Sequence, residues 1–535
     1  MSFGRNSRVP KNLQTSTGRT VHEFDSRFLL SLFSAAEDCP IFGEELMIRD
    51  EDGTITKELL MTVSQAGFRS INRILSEAEW PEGKSELPIC DRALVEMYHE
   101  GVLTEPLAES DLTARDNGPE SKNSDGCAID LENAEDEFEQ LCRENARLRF
   151  GETVPDLIRE QLEFELEWMR MYGQGSRYLL AAKLAERCRK KNMPYYFKNM
   201  ASYSVMAWLA GFTSVKLETV YTHSTPEERE KRNDLYKSVN GRIPKAMTPA
   251  LFKLDASGET EPFAMVVPDE KARGEIMLWL EEIYGQGRVY RVGKRDKMNI
   301  VRPADQFLIL PKGGDIFNYT SLGYAPGTNY ERGMTVGLLW PFNDFSLFSV
   351  SCEPALSRLY ELQQAAGEPA PEITDMSKDR SFIFREGIYQ EIPILSEFSE
   401  SAAFRIFRCS FDDLVKLLGI RQLKKSTADL LFAKEQKELQ HIPVHREEIF
   451  HMLLDLGVDK NTASAMTTVL SYKDVEPFPT EEDFEELIER GMSPETVKWL
   501  KVRRALPWKS DDAELAAVLL KIVWFRMNRP DVFFA

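Results

Sequence analysis

Three histidines within eleven residues form the densest group of potential metal ligands in this 535-residue sequence. His441 and His445 are four positions apart, a spacing that places two imidazoles on one face of a helix, and His451 follows. Pro443 lies between the first two and interrupts a continuous helix, and no neighbouring cysteine completes a ligand set. We therefore interpret these histidines as surface residues, and we predict neither a bound metal nor a structural zinc.

A phosphate-binding loop is suggested only by Gly83-Lys84-Ser85. Such a loop needs a leading glycine five residues earlier, where the sequence has Ala78. It also needs a strand that turns directly into a helix, and the surrounding EWPEGKSELP does not have that character. The sequence therefore predicts no nucleotide site here and no cofactor.

Basic and aromatic side chains alternate in one short stretch, a combination that can follow a phosphate backbone and stack on bases. Its central residues are Lys190, Lys191, Tyr195, Tyr196 and Lys198. Lys183, Arg187, Arg189 and Phe197 belong to the same stretch. The alternative interpretation is a solvated helix face followed by a buried strand. The residues alone leave both interpretations open.

The overall charge argues against a surface that binds nucleic acid everywhere. Lys and Arg number 67 against 87 Asp and Glu, so the net charge is −20. Seven scattered cysteines form no C-x-x-C pair, which is typical of reduced thiols. The N-terminus has no apolar segment of the secretory type, and the most apolar stretch, 515–527, is interrupted by Lys521 and Arg526. We expect a cytoplasmic protein that does not bind membranes.

Composition and periodicity divide the chain into segments. Residues 1–20 are predicted to form a basic flexible arm, 21–104 a small helical domain, and 105–128 an acidic linker. Helical patterns follow, and the best strand candidates are 263–267, 307–310 and 347–350. Helical signals dominate from residue 353 to the end, and we find no internal repeat. The pattern is that of an α+β protein.

From residue 135 onward the sequence resembles the PolC-type, or C-family, bacterial DNA polymerase III alpha subunit. EDEFEQLCRENARLRFGETVPDLIREQLEFELEWM resembles the family's acidic E-L-x-x-x-C-x-x-G-A-x-x-x-Y-G-E, followed by a proline and an R-L-E-x-E-L helix. The likeness stays collinear through GRVYRVG at 287–293, FLILP at 307–311 and VHREEIFHMLLDLGV at 444–458, to the final helix at 506–535. It covers about residues 129–535.

The resemblance implies a mixed palm sheet with helices at 129–350, including a vestigial thumb at about 275–300. It also implies a mainly helical fingers domain at 351–535. Family polymerases hold two Mg²⁺ with three palm aspartates, because in-line phosphoryl transfer needs metals on both the attacking and the leaving oxygen. The resemblance assigns those three positions to Phe263, Met265 and Ser349. We expect Phe263 and Met265 to be buried, and we predict no catalytic residues.

The sequence also differs from the family pattern at three other places. The family's Gly-Ser loop, which approaches the triphosphate, is replaced by KNMASYS at 198–204. In the fingers, the family's K-[AS]-H becomes Lys509-Ser510-Asp511, and a cysteine-free segment stands where the family has a zinc module.

The favoured interpretation is a catalytically inactive relative that acts as a binding or scaffold protein in DNA replication or a related nucleic-acid process. A protein partner is preferred over nucleic acid. Weak DNA binding is expected at most, through Lys190, Lys191, Tyr195, Tyr196, Lys198, Arg503, Arg504 and Lys509. One alternative is an active polymerase with displaced metal ligands among Asp255, Asp269, Asp344 and Glu353. A second alternative is a helical interaction adaptor unrelated to polymerases.

Overall fold

A computed structural model describes the larger part of the chain. The described residues are 13–14, 20–23, 41–62, 64–81, 87–104, 129–171, 173–198, 204–213, 264–295, 300–323, 334–336, 346–372, 378–397, 409–421, 443–458, 463, 466–467, 481–502 and 507–535. Several candidates lie outside these ranges, namely Asp255, Phe263, Asp344, His441, Arg503 and Arg504. The predicted linker 105–128 also lies outside the described residues.

The elements alternate between strands and helices up to residue 352 and are helical afterwards. Up to residue 213 they are β1 (Leu13–Gln14), β2 (Thr20–Glu23), β3 (Ile41–Arg49), β4 (Ile55–Thr62), α1 (Gln65–Glu77), β5 (Ile89–Asp91), α2 (Arg92–Met97), α3 (Ala134–Phe150), α4 (Asp156–Met171), α5 (Gly175–Lys190), β6 (Tyr196–Phe197) and α6 (Val205–Leu209). Up to residue 352 they are β7 (Met265–Val267), α7 (Glu270–Tyr284), β8 (Val289–Arg295), β9 (Val301–Ile309), β10 (Ser321–Gly323), β11 (Met334–Val336) and β12 (Ser346–Cys352). The remainder are α8 (Pro354–Ala366), α9 (Phe382–Arg385), α10 (Phe411–Arg421), α11 (Arg446–Asp455), α12 (Glu481–Glu489), α13 (Pro494–Val502), α14 (Lys509–Asn528) and α15 (Pro530–Phe533).

The chain divides into two compact units, and the fold is α+β. Unit 1 comprises Met1–Asp130 and Glu275–Ser349, and unit 2 comprises Leu131–Gly274 and Val350–Ala535. This division differs from the predicted one, because residues 275–349 group with the N-terminal segment and not with the rest of the predicted palm. In the described ranges no helix has the length and apolar character needed to cross a membrane.

Unit 1 contains two sheets. The first has the order β1-β2-β3-β4, and β5 also pairs with β3. The prediction of a small helical domain at 21–104 is therefore wrong for residues 41–62, which form the β3–β4 hairpin. Leu46 and Ile48 alternate into the core, and Asp50 to Gly53 form the hairpin loop, with Gly53 at φ +83°. Within the predicted flexible arm, Leu13–Gln14 pairs with Thr20–Val21.

The helix α1 joins this sheet to the second one in unit 1. One face of α1 packs on the first sheet through Phe68, Ile71 and Ile74. The other face contacts a turn at Ile316–Asn318, where Arg73 pairs with Asp315 at 2.9 Å and Asn72 Nδ2 donates to the Phe317 carbonyl. These contacts explain why residues 275–349 belong with the N-terminal segment. The second sheet has the order β10-β11-β8-β9-β12 in this unit.

Unit 2 is built around α14, which is buried along most of its length. Its apolar core joins α14 to α8 and α10 and includes Tyr196 of β6 and Val266 of β7. The last three residues of β12 pair in parallel with β7, and β7 pairs in antiparallel fashion with β6. A second, separate core in this unit joins α11, α12 and α13 through residues such as Phe450, Leu487 and Leu500.

Candidate functional site

The strand pair β7 and β12 lies where the resemblance expects metal-binding aspartates. Met265 of β7 is paired with Val350 of β12, so their side chains lie on the same face of the pair. Neighbouring residues of a strand point to opposite faces, and Ser349 therefore points away from the face of Val350. The residue beside Met265 is therefore Val350.

Both faces of β7 are covered. Met265, Val266 and Val267 are completely buried, which confirms the prediction for Met265, whereas Phe263 lies outside the described residues. Phe197 is paired with Met265, and its ring lies 4.8 Å from that of Phe212. On the opposite face Val266 belongs to the core around α14. An apolar, fully covered strand offers no carboxylate and no water to a hydrated Mg²⁺.

The alternative metal ligands have other roles where the structure describes them. The Asp269 carboxylate accepts a hydrogen bond from the Ala272 backbone at 2.8 Å and so caps the start of α7. Glu353 precedes α8, and its backbone N–H donates to the Val267 carbonyl at 3.1 Å. Within the described part of the chain, no three His, Cys, Asp or Glu residues are grouped in a way suited to a metal ion.

The predicted stacking residues are held inside the protein. Tyr196 is 1% exposed and belongs to the α14 core, so its assignment as a base-stacking residue is wrong. The Tyr195 hydroxyl donates to the Gly211 carbonyl at 2.6 Å and accepts from Arg189 Nη1 at 2.8 Å. Burial raises the pKa of Tyr195 far above its ordinary value of 10. The alternative of a helix face followed by a buried strand therefore describes this segment better.

The cations of the same stretch are largely engaged with carboxylates. Lys190 pairs with Glu186 at 2.7 Å, and Lys183 pairs with Glu137 at 2.6 Å. Lys191 is exposed and Lys198 is half-buried at the end of β6. The available positive charge is thus smaller than the sequence predicted.

The segment that replaces the Gly-Ser loop ends in a hydrogen-bonded cradle around Glu165. This carboxylate is fully buried and accepts from the Ser204 hydroxyl at 2.7 Å, Val205 N at 3.1 Å, Met206 N at 2.9 Å and Gln161 Nε2 at 2.9 Å. Burial raises its pKa, and the hydrogen bonds oppose that effect only in part. The amides at the start of α6 are therefore occupied by a carboxylate of the chain itself.

The first turn of α14 carries the residues that the resemblance aligns with a nucleotide-facing motif. Lys509 Nζ lies 3.7 Å from Asp412, and its backbone N–H lies 3.2 Å from the Glu447 carboxylate. Burial raises the pKa of Tyr196, and the nearby carboxylates of Glu353, Asp511 and Glu514 raise it further. An acidic environment of this kind disfavours a triphosphate.

Sequence analysis missed the role of His445, which is fully buried and not a surface residue. Its Nε2 lies 3.0 Å from Asp512 Oδ2, and its Nδ1 lies 3.6 Å from Glu448 Oε2. Burial alone lowers the pKa of His445, but the bonds to Asp512 and Glu448 outweigh it and raise the pKa from 6.5 to about 9. Because both ring nitrogens face carboxylates and the ring is inaccessible, His445 is not a general base.

A signal for His445 was present in the sequence. Glu448 follows three residues later, and its carboxylate accepts from the Val444 and His445 backbones at 2.7 and 3.3 Å. An acid three residues after the N-cap residue, here His445, is typical of a capping box. Asp512 is 67 positions away and only the fold brings it to the ring.

No protein-family model matches this chain, and no curated protein is similar to it at a significant level.

Proposed function

We propose that this chain is a degenerate relative of the PolC-type DNA polymerase III alpha subunit that does not transfer nucleotides. It serves as a binding or scaffold protein in DNA replication or a related nucleic-acid process, in the cytoplasm. The observation that carries this proposal is the buried apolar pair of Met265 and Val350. Two-metal catalysis is the main source of rate in phosphoryl transfer, and neither side chain of this pair can bind Mg²⁺.

Two contacts support the polymerase resemblance itself. The resemblance requires the strand with two aspartates and the strand with the third to be neighbours, and β7 and β12 are hydrogen-bonded neighbours. Glu165 comes from the segment that resembles the R-L-E-x-E-L helix, and it binds Ser204 at the end of the segment aligned with the Gly-Ser loop. Both contacts join segments far apart in sequence, and they support the proposed relationship to the palm.

Charge supports a protein partner over nucleic acid. The exposed face of α4 carries Asp156, Glu160, Glu163 and Glu167 at successive helical turns. Among the described basic residues of the predicted patch, by contrast, Lys190 and Lys509 lie beside carboxylates, Lys198 is half-buried and Lys191 is exposed. A surface of this sign repels a phosphate backbone and attracts a basic protein.

The partner is tested by affinity capture of the tagged full-length chain from native lysate, with and without nuclease. A specific protein retained after nuclease treatment, and retained again when purified components are mixed, supports a scaffold role. Loss of every captured component on nuclease treatment contradicts the preference for a protein partner. The wild-type protein should also give no heat of binding with Mg²⁺ and a deoxynucleoside triphosphate in calorimetry, and binding there contradicts the loss of the catalytic site.

A further inference from the structure

The segment from Arg446 to Val502 carries the same sequence pattern twice, and the structure describes residues 446–458, 463, 466–467 and 481–502 of it. FHMLLDLGVDKNTASAM begins at Phe450, and FEELIERGMSPETVKWL begins 34 positions later at Phe484. The buried residues occupy equivalent positions, with Phe450, Leu453, Ala463 and Met466 in the first copy and Phe484, Leu487, Val497 and Leu500 in the second. This repeat corrects the sequence-based finding that none exists.

The two copies also turn in the same way. Gly457 (φ +74°) donates to the Leu454 carbonyl at 2.9 Å, and Val458 donates to Leu453 at 3.0 Å. At the equivalent positions Gly491 (φ +108°) donates to Ile488 at 3.0 Å and Met492 donates to Leu487 at 2.9 Å. In both copies the first helix is thus followed by a glycine in the left-handed backbone conformation.

The contacts between the copies are reciprocal. Arg490, which precedes Gly491, donates from Nη1 to the Gly457 carbonyl at 2.7 Å. Leu456, which precedes Gly457, is the nearest side chain to a Cβ placed on Gly491. When equivalent residues contact each other's turn, the two copies are related by an approximate two-fold axis. The described residues between 446 and 502 therefore form one helical module with its own core.

Both ends of this module meet the rest of unit 2 at one place. The chain enters beside His445 and leaves at Pro507, and Arg446 N donates to the Pro507 carbonyl at 3.1 Å. The Arg446 guanidinium lies 4.3 Å from the Trp508 ring centre. A body that has its own core, and whose two ends in the described ranges meet at one place, can move as a unit about that place.

The attachment at this place is made of buried and partly buried charges, which we define as the charged joint: His445, Glu447, Glu448, Lys416, Asp412, Lys509 and Asp512. His445 binds Asp512 of α14 and faces Glu448 of α11, and Lys416 of α10 lies 3.4 Å from Glu448. Glu447 accepts from the Lys509 backbone, and Lys509 Nζ faces Asp412. When the His445 ring is protonated, the carboxylates of Asp512 and Glu448 each face its positive charge. A neutral ring removes the cation that faces both Asp512 and Glu448, and the charges of Lys416 and Lys509 near Glu448 remain.

We propose that residues 446–502 are a duplicated helical module held on α10 and α14 by the charged joint, and that loss of the His445 proton releases it. Docking holds the proton on the ring, so the docked state is favoured fully below pH 6.5, the ordinary midpoint of histidine. The preference weakens as pH rises and is lost above about pH 9. Released from α10 and α14, the module retains only its own small core, which is marginally stable, so its helices open more readily while the α14 core persists.

Hydrogen–deuterium exchange of the full-length protein between pH 6.5 and 10, corrected for intrinsic exchange rates, tests the proposal. Protection of α11, α12 and α13 should fall roughly tenfold per pH unit between 6.5 and 9, because one proton is lost on release. The stretch Leu515–Phe525 of α14 should keep its protection. Equal loss in α14 and in the module, or no pH dependence in α11, overturns the proposal.

Two variants sharpen the result. His445→Gln should show at pH 7 the exchange in α11 that the wild type reaches near pH 9. His451→Gln changes an exposed histidine of the same helix and should behave like the wild type. Identical behaviour of the two variants overturns the proposal. If His445→Gln does not fold, the wild-type pH series decides alone.

Discussion

The Glu165 carboxylate and the Ser204 hydroxyl are 2.7 Å apart and neither residue is exposed to solvent. This hydrogen bond joins α4 to the start of α6. The Glu165 carboxylate also accepts hydrogen bonds from the backbone amides at the start of α6. In the polymerase family that this chain resembles, the corresponding loop approaches a triphosphate. The same amides here have a structural role.

Replacing Glu165 by Ala should destabilise unit 2 by about 3 kcal/mol, because the amides of Val205 and Met206 and the Ser204 hydroxyl lose their acceptor in a buried site. Urea unfolding followed by circular dichroism measures the loss. Glu163→Ala, on the exposed face of the same helix, should change stability by no more than about 0.5 kcal/mol. Equal effects of the two substitutions would show that the cradle is unimportant.

Replacing Met265 by Asp should not restore a metal site but should destabilise the protein by about 3 kcal/mol or more at neutral pH. The loss should grow as pH rises, because a buried carboxyl has a raised pKa and the folded state then holds the proton that the unfolded state releases. Met265→Leu, which keeps the volume, should cost less than about 1.5 kcal/mol. A Met265→Asp protein as stable as the leucine variant at pH 8 would mean that the strand is open to water.

Gly419 and Gly274 both lie within helices, but replacing each by alanine should have opposite effects on stability. A Cβ on Gly419 would lie 2.5 Å from Val444 Cγ1 and 2.8 Å from His445 Nε2, so Gly419→Ala should force the charged joint apart and cost about 1–3 kcal/mol. A Cβ on Gly274 meets nothing within 4 Å, so Gly274→Ala should stabilise by about 0.5–1 kcal/mol. Chemical denaturation compares the two. A neutral Gly419→Ala would indicate that α10 and α11 do not pack closely.

Binding to DNA should be weak. A few available cations make about two to four phosphate contacts, which gives an affinity near micromolar or weaker and a log-log salt slope of about −2 to −4. Since Tyr196 is buried and the Tyr195 hydroxyl is bonded to Gly211, neither ring adds a preference for single strands. Fluorescence anisotropy over a salt series measures both quantities. Nanomolar, duplex-selective binding with a steep slope would mean that an inherited DNA channel still functions.

The sequence was most informative where a short apolar run was isolated. The predicted strands at 263–267, 307–310 and 347–350 overlap β7, β9 and β12, and the burial of Met265 was predicted too, because such runs need two covered faces. The β3–β4 hairpin was mistaken for helix because Leu59, Leu60 and Val63 fit the helical period as well as a strand. The Asp-Gly at 52–53 between alternating residues was the stronger signal.

The charged joint could not be predicted from the sequence, for a different reason. His445 and Asp512 are separated by 67 positions, and no local pattern predicts a contact of that range. Tyr195 and Tyr196 were assigned to a surface by the lysines beside them, although aromatic residues after a helix are more often core. The repeat was missed because its two copies share few identical residues and become evident only through their equivalent buried positions and turns.

Primer extension tests the central claim most directly. The purified full-length protein is given a primed template and all four deoxynucleoside triphosphates with Mg²⁺ or Mn²⁺. We expect no extension, because the strands that would hold the metals carry Met265 and Val350 in a closed core. Template-dependent extension that disappears on substitution of Asp255, Asp269 or Asp344 would contradict the account and establish an active polymerase with displaced metal ligands.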